Sequence, residues 1–77
     1  MAALADGVPL ELRSGLYGVL TDLNGGTASV TIEYDGAGPI ALTDLGTEGY
    51  NEISLPVCTM TANLTGSATV AIRDVER

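Results

Sequence analysis

Apolar and polar residues alternate one by one along the stretch TASVTIEYD, residues 27–35. One face of this segment carries Ala28, Val30, Ile32 and Tyr34, and the other carries Ser29, Thr31, Glu33 and Asp35. Successive side chains of a β-strand point to opposite faces, so the alternation predicts a strand with one buried side. No stretch of ten residues shows the i, i+3, i+4 apolar spacing that is typical of an amphipathic helix.

The same alternation continues along the chain between the turn signals RSG, NGG, DGAGP and GTEGYN. The predicted strands are 8–13, 16–23, 27–35, 39–45, 50–55, 57–64 and 67–75. Short strands joined by tight turns predict one all-β domain, a small antiparallel β-sandwich of jelly-roll or Greek-key type with about six to eight strands. This domain is expected to span residues 8–77. The weakly apolar start MAALADG, residues 1–7, is expected to be an N-terminal arm, either frayed or docked on a neighbour.

One phrase occurs twice in the chain, as GGTASVTIEY at 25–34 and as TGSATVAIR at 65–73. Aligning Gly26 with Gly66 also aligns Ala28 with Ala68, Val30 with Val70, Ile32 with Ile72, and Leu20-Thr21 with Met60-Thr61. Each copy covers a strand, a turn and the next strand, and is predicted to be a hairpin. Two interpretations stay open: a pseudo-symmetric sandwich, or two ordinary hairpins that share turn glycines and alternating Val and Ile.

The composition leaves little material for a stable core. The 77 residues include no Phe, no Trp and only three Tyr. Cys58 is the only cysteine, so no intramolecular disulfide can form, and without His a tetrahedral structural zinc site cannot be built. Small chains gain missing stability from disulfides, metals or partner chains. The remaining expectation is self-association or docking on a larger assembly.

The residues also argue against catalysis. Without His, neither a Ser–His–Asp nor a Cys–His arrangement can be assembled. Cys58 lies on the same face as Met60 in VCTMTANL and is expected to be a small buried hydrophobic residue. DLNGGT at 22–27 matches a calcium loop at its first two ligand positions only, and a type I′ turn at Asn24-Gly25 explains the same letters. We expect a protein that is not an enzyme and has no cofactor or metal.

The charge is strongly acidic, with ten Asp and Glu against three Arg, no Lys and a net charge of −7. Nucleic-acid backbones and anionic membrane surfaces are bound by clustered Lys and Arg. Neither is therefore expected as a partner. The acidity is interpreted as a solvated surface, with calcium binding as the alternative.

The segments GGTASVTIEYDGAGPIALTDLGTEG, YNEISLP and TANLTGSATVAI follow one another in this order. Their order and pattern resemble small β-sandwich proteins of tailed bacteriophages, which decorate capsids or occur as modules of head fibres and tail appendages. The resemblance covers about residues 15 to 75. It implies a non-enzymatic virion structural protein that binds the outside of the capsid as a decoration or cement protein and is made in the host cytoplasm. The implied partners are the major capsid protein and further copies of the chain, as a homotrimer.

The predicted contact surface consists of apolar residues near the start of the chain: Ala2, Ala3, Leu4, Leu10 and Leu12. An alternative function is a glycan- or receptor-binding module of a phage fibre or tail tip. Such a module would stack sugars on aromatic rings, and the chain offers Tyr17, Tyr34 and Tyr50. A third alternative is a subunit of a cellular assembly.

Overall fold

The computed structural model describes residues 1–75 and contains two antiparallel four-stranded sheets. The strands are β1 (Ala2–Ala3), β2 (Leu10–Leu12), β3 (Gly15–Asp22), β4 (Thr27–Tyr34), β5 (Ala37–Ala41), β6 (Gly49–Leu55), β7 (Cys58–Thr65) and β8 (Thr69–Asp74). A short 3₁₀ helix, Thr43–Gly46, lies between β5 and β6. Within the described part of the chain, no helix is long and apolar enough to cross a membrane. The predicted all-β class is confirmed.

The strand order is that of a jelly roll. One sheet has the order β1-β8-β3-β6, here called sheet A, and the other has the order β2-β7-β4-β5, here called sheet B. The pairs β4·β5, β3·β6, β2·β7 and β1·β8 are nested inside one another, as in one long hairpin. Two further pairs, β3·β8 and β4·β7, join the ends of this hairpin after it has rolled up. The predicted antiparallel sandwich is therefore of the jelly-roll kind.

The ends of several elements differ from the prediction. The predicted strand 39–45 ends at Ala41, because the chain turns into the 3₁₀ helix. Residues 1–7 are not a separate arm: Ala2–Ala3 pair with β8 and the side chain of Leu4 is buried in the core. The predicted domain of residues 8–77 thus extends to the N-terminal strand, and its positions 76 and 77 lie outside the described residues.

The core lies between the sheets and follows the predicted alternation. Val30 and Ile32 of β4, Val70 and Ile72 of β8, and Met60 and Ala62 of β7 are all buried. Tyr34 belongs to the alternating residues of β4 that face inward. It is nevertheless partly exposed, because the strand ends there and the chain turns at Asp35-Gly36. Thr21 is the one buried polar side chain among the described residues, and its hydroxyl donates to the carbonyl of Leu45 at 2.7 Å. This bond connects the 3₁₀ helix to β3.

The prediction that each copy of the repeated phrase forms a hairpin is wrong. The repeated phrases form β3–β4 and β7–β8, and each crosses from one sheet to the other. The two copies pair with each other instead, β3 with β8 and β4 with β7. The loop between β3 and β4 is one residue longer than that between β7 and β8, so burial aligns Val19, not Leu20, with Met60.

The two crossing turns contact each other at one end of the sandwich. Asn24 and Gly25 both have positive φ, as the predicted type I′ turn requires, and the amide of Gly26 donates to the carbonyl of Leu23 at 2.6 Å. A Cβ at Gly66 would lie 3.2 Å from the Cα of Gly26. The turns therefore pack backbone against backbone, which requires small residues at this contact.

Candidate interaction surfaces

The five predicted contact residues do not form one surface. Ala2 and Ala3 on β1 and Leu10 on β2 are exposed, whereas Leu4 and Leu12 are buried in the core of their own chain. Leu4 and Leu12 must therefore be removed from the contact surface, because their apolar side chains already pack between the two sheets. Apolarity alone did not distinguish a residue that packs inward from one that faces a partner.

The N-terminal segment forms an edge of both sheets. The amide of Leu4 donates to the carbonyl of Val70 on β8, and the amide of Gly7 donates to the carbonyl of Ala62 on β7, both at 2.8 Å. The carboxylate of Asp6 accepts a hydrogen bond from the amide of Leu64, also at 2.8 Å. These bonds hold the segment in place across the sandwich. The edge leaves Met1 59% exposed and the neighbouring loop leaves Val8 54% exposed.

An open groove of about 520 Å³ lies at the end of the sandwich where β2 and β4 end and β7 begins. Glu11, Thr59 and Glu33 stand side by side in it, in register across β2, β7 and β4. Arg13 and Asp35 complete its charged lining, and the exposed side chain of Val57 supplies an apolar wall. The groove is shallow and its carboxylates outnumber its guanidinium groups.

Cys58 lies below this groove and is buried, as predicted. Burial raises the pKa of its thiol, because the thiolate would lose its hydration. A reactive cysteine needs a lowered pKa and a nearby base, and the chain contains no His. The side chain therefore acts as a small hydrophobic group.

The structure gives no support to a metal centre in the region it describes. Among residues 1–75, no group of three or more Cys, Asp or Glu side chains lies close enough together to hold a metal ion. Asp22 and Asn24 of DLNGGT belong to the end of β3 and to its type I′ turn.

The outer face of sheet A carries an apolar row. Ala3, Ala71, Leu20 and Tyr50 stand in register across β1, β8, β3 and β6. Leu20 is 44% exposed and Tyr50 is 43% exposed. Apolar side chains on a solvent-facing sheet surface are typical of a place where another molecule packs.

Tyr50 is held across this face by its neighbours. Its hydroxyl donates to Glu52 Oε2 at 3.0 Å and accepts a hydrogen bond from Arg73 Nη2 at 3.3 Å. The guanidinium carbon of Arg73 lies 5.8 Å from the centre of the ring. The phenol end covers Gly18, where any Cβ would overlap the hydroxyl oxygen of Tyr50. A glycine at this position of β3 therefore lets the tyrosine lie close to the sheet.

The outer face of sheet B is polar by comparison. It presents hydroxyl and amide side chains from the paired strands β4 and β7: Thr27, Ser29, Thr31, Thr59, Thr61, Asn63 and Thr65. Thr27 and Thr65 bond each other, with their hydroxyl oxygens 2.6 Å apart. This face therefore presents polar groups where the outer face of sheet A presents apolar ones.

Leu20 and Arg73 were not among the predicted site residues, and Tyr50 was named only as one of three tyrosines on which a sugar could stack. The sequence contained a signal for the outward position of Leu20. In LYGVLTD this residue alternates with Tyr17, Val19 and Thr21, which are buried. Aligning Leu20 with the buried Met60 concealed this alternation. The partnership of Tyr50 with Arg73 depends on β6 and β8 both pairing with β3, which the local pattern does not contain.

No protein-family model, no curated protein and no solved structure matches this chain.

Proposed function

We propose that this chain is a non-enzymatic structural protein of a phage virion, which binds the outside of the capsid as a decoration or cement protein. The capsid as partner comes from the resemblance of the sequence to phage decoration proteins. The observation that carries the proposal is the edge formed by β1, β2 and the loop between them. This edge exposes Met1, Val8 and Leu10.

An exposed sheet edge can bind a partner in two ways. Its free backbone groups can pair with a strand of another chain, and its apolar side chains can be buried at the contact. Ala2, Ala3 and Leu10, the exposed members of the predicted contact surface, lie on this edge. A protein that joins shell subunits needs broad surfaces rather than an enclosed pocket, and the groove beside Val57 is open.

Capsid binding tests the proposal with a matched pair of variants. Val8→Asp places a charge on the proposed edge, and Ile40→Asp places the same charge on β5 at the opposite edge of sheet B. Purified protein is mixed with capsids that lack it, and occupancy is measured after sedimentation of the particles. We expect Val8→Asp to lose binding and Ile40→Asp to retain it. Wild-type protein that stays in the supernatant, or equal binding by both variants, would contradict the proposal.

One observation favours the second candidate, a glycan- or receptor-binding module. The ring of Tyr50 is partly exposed and is flanked by a carboxylate and a guanidinium, Glu52 and Arg73. Sugars stack on aromatic rings and bond such groups. A glycan array separates the two candidates, because a cement protein binds none of the glycans and a receptor-binding module binds a defined subset that Tyr50→Ala abolishes.

A further inference from the structure

We propose that the outer face of sheet A is a self-association surface, on which a second copy of this chain packs face to face about a two-fold axis parallel to β3. The proposal does not depend on capsid binding, which is proposed for the edge formed by β1, β2 and the loop between them, although Ala3 belongs to both surfaces. It rests on the arrangement of charged and apolar side chains on this face.

The charges on the face are arranged to complement a second copy. Arg73 on β8 and Glu52 on β6 are both in register with Gly18 on β3, so they lie at equal distances on its two sides. Rotation by 180° about an axis along β3 exchanges the two sides, which is how two-fold contacts pair different residues. Arg73 of each copy then lies opposite Glu52 of the other. A two-fold axis across the strands would instead place Arg73 against Arg73.

The apolar residues follow the same symmetry. The rotation places Leu20 of one copy opposite Leu20 of the other, at the axis. It also places the Cα of Ala71 opposite the Cα of Tyr50, since both are in register with Leu20. The phenol end of each Tyr50 covers Gly18, so the two phenols meet near the axis. Packed sheets cross at about 30°, which displaces the charges near the axis by only about 2–3 Å. Arg and Glu side chains are long enough to accommodate that displacement.

The charge of the whole chain opposes self-association, but this face contributes little to the opposition. The net charge is −7. The outward positions of sheet A carry two carboxylates, Asp22 and Glu52, against the guanidinium of Arg73. Sheet B presents Glu11 and Glu33 on either side of Thr59. Two copies can approach through sheet A with the least repulsion and with two opposite-charge contacts.

The size of the face indicates a reversible dimer. With the axis along β3, the face overlaps its copy over β8, β3 and β6. Three strands about 4.8 Å apart and about seven residues long give a projected area of roughly 340 Å². A standard stable interface buries about 800 Å² on each partner, and smaller ones belong to weak, reversible complexes. We therefore expect dissociation constants in the range of about 10 to 500 μM.

The proposal is tested by sedimentation velocity of the full chain from about 1 μM to 1 mM. The wild type is compared with variants in which the charges of Arg73 and Glu52 are reversed singly or exchanged. Arg73→Glu and Glu52→Arg each place like charges opposite one another in the dimer, and each is expected to weaken dimerisation at least about tenfold. The double variant Arg73→Glu/Glu52→Arg restores opposite charges at both contacts. It is expected to dimerise within about threefold of the wild type.

Each single variant has a control of equal net charge. Arg73→Glu changes the net charge from −7 to −9, and so does Arg13→Glu in the groove at the end of the sandwich. Glu52→Arg changes the net charge from −7 to −5, and so does Glu33→Arg on sheet B. The controls are expected to dimerise within about threefold of the wild type, since they lie outside the proposed contact. Circular dichroism of every variant verifies that the β-sandwich is retained.

Leu20→Thr supplies a second test that leaves the charges unchanged. Thr is favourable in strands, so the fold is expected to persist while the apolar contact at the axis is lost. The proposal is supported if Leu20→Thr weakens dimerisation and if the double variant Arg73→Glu/Glu52→Arg recovers the dimerisation that each single charge variant loses. A monomer up to 1 mM overturns it, as does a trimer, or a dimer that Arg73→Glu and Arg13→Glu weaken equally. A trimer would instead agree with the oligomer that the phage resemblance implies.

Discussion

Gly18 is the residue on which the outer face of sheet A depends. It is the central position of a row that runs from Arg73 through β3 to Glu52. The absence of a side chain there allows the phenol of Tyr50 to reach both charged groups. A single glycine thereby determines whether this tyrosine lies along the sheet or projects from it.

Gly18→Ala is expected to destabilise the fold by about 1–3 kcal/mol, because the new Cβ overlaps the hydroxyl of Tyr50 and displaces the ring. Urea unfolding measures the loss. The same substitution in a Tyr50→Ala background is expected to cost less than about 0.5 kcal/mol, since nothing is then displaced. An equal cost in both backgrounds would show that the overlap is not the cause.

Cys58 is expected to make the fold less stable at alkaline pH. Because burial raises the pKa of its thiol, the folded chain keeps this proton at pH values where the unfolded chain has lost it. The contribution to stability is complete below the pKa of the unfolded thiol and decreases as the pH rises above about 8.5. We expect the free energy of unfolding of the wild type, relative to Cys58→Ala, to fall between pH 7 and pH 10 in urea titrations. A difference that stays constant with pH would contradict this.

The burial of individual residues was largely predictable, whereas the outer faces were not. Val30, Ile32, Val70 and Ile72 face the core as their alternation predicts. Alternation distinguishes two sides of a strand, but it does not identify which strands become neighbours. The contact between Tyr50 and Arg73 joins strands that are both separated from β3 in the sequence, so it follows only from the pairing.

At the scale of elements, the 3₁₀ helix Thr43–Gly46 is connected to β3 through Thr21. Thr21→Val keeps the shape of the side chain but removes the donor to the carbonyl of Leu45. Because that site is buried, we expect a loss of about 1–3 kcal/mol in the free energy of unfolding. Thr47→Val removes an exposed hydroxyl bond to Asp44 in the same helix and is expected to cost less than about 0.5 kcal/mol. Equal losses in thermal unfolding would argue against a role for the buried bond.

The repeated phrase shows why turn chemistry alone did not predict the topology. A type I′ turn at Asn24-Gly25 is present as predicted, and Asp35-Gly36 also has positive φ at both residues. The turn at Asp35-Gly36 joins two paired strands, β4 and β5, whereas that at Asn24-Gly25 joins strands of different sheets. The same local geometry thus serves both a hairpin and a crossing, and packing between the sheets decides between them.

At the scale of the whole molecule, the N-terminal segment closes the sandwich. Removing residues 1–7 deletes β1, the burial of Leu4 and the bond from Leu64 to Asp6. The expected loss is about 3–5 kcal/mol, a large share of the stability of a domain of this size. Urea unfolding of the truncated chain measures it, with Val8→Ala as a control at an exposed site. A truncated chain as stable as the control would show that the segment is dispensable to the fold.

The nested pairing also sets the order in which the chain can assemble. The innermost pair, β4·β5, closes through a two-residue turn, whereas the outermost pair joins Ala2 to Ile72. During synthesis, β3 emerges before either of its neighbours, β6 and β8, and waits with both edges open. Folds dominated by such distant pairings form slowly, in milliseconds to seconds. A nascent chain of this protein therefore passes through a period in which its strands are free to join those of other chains, and its net charge of −7 opposes such association.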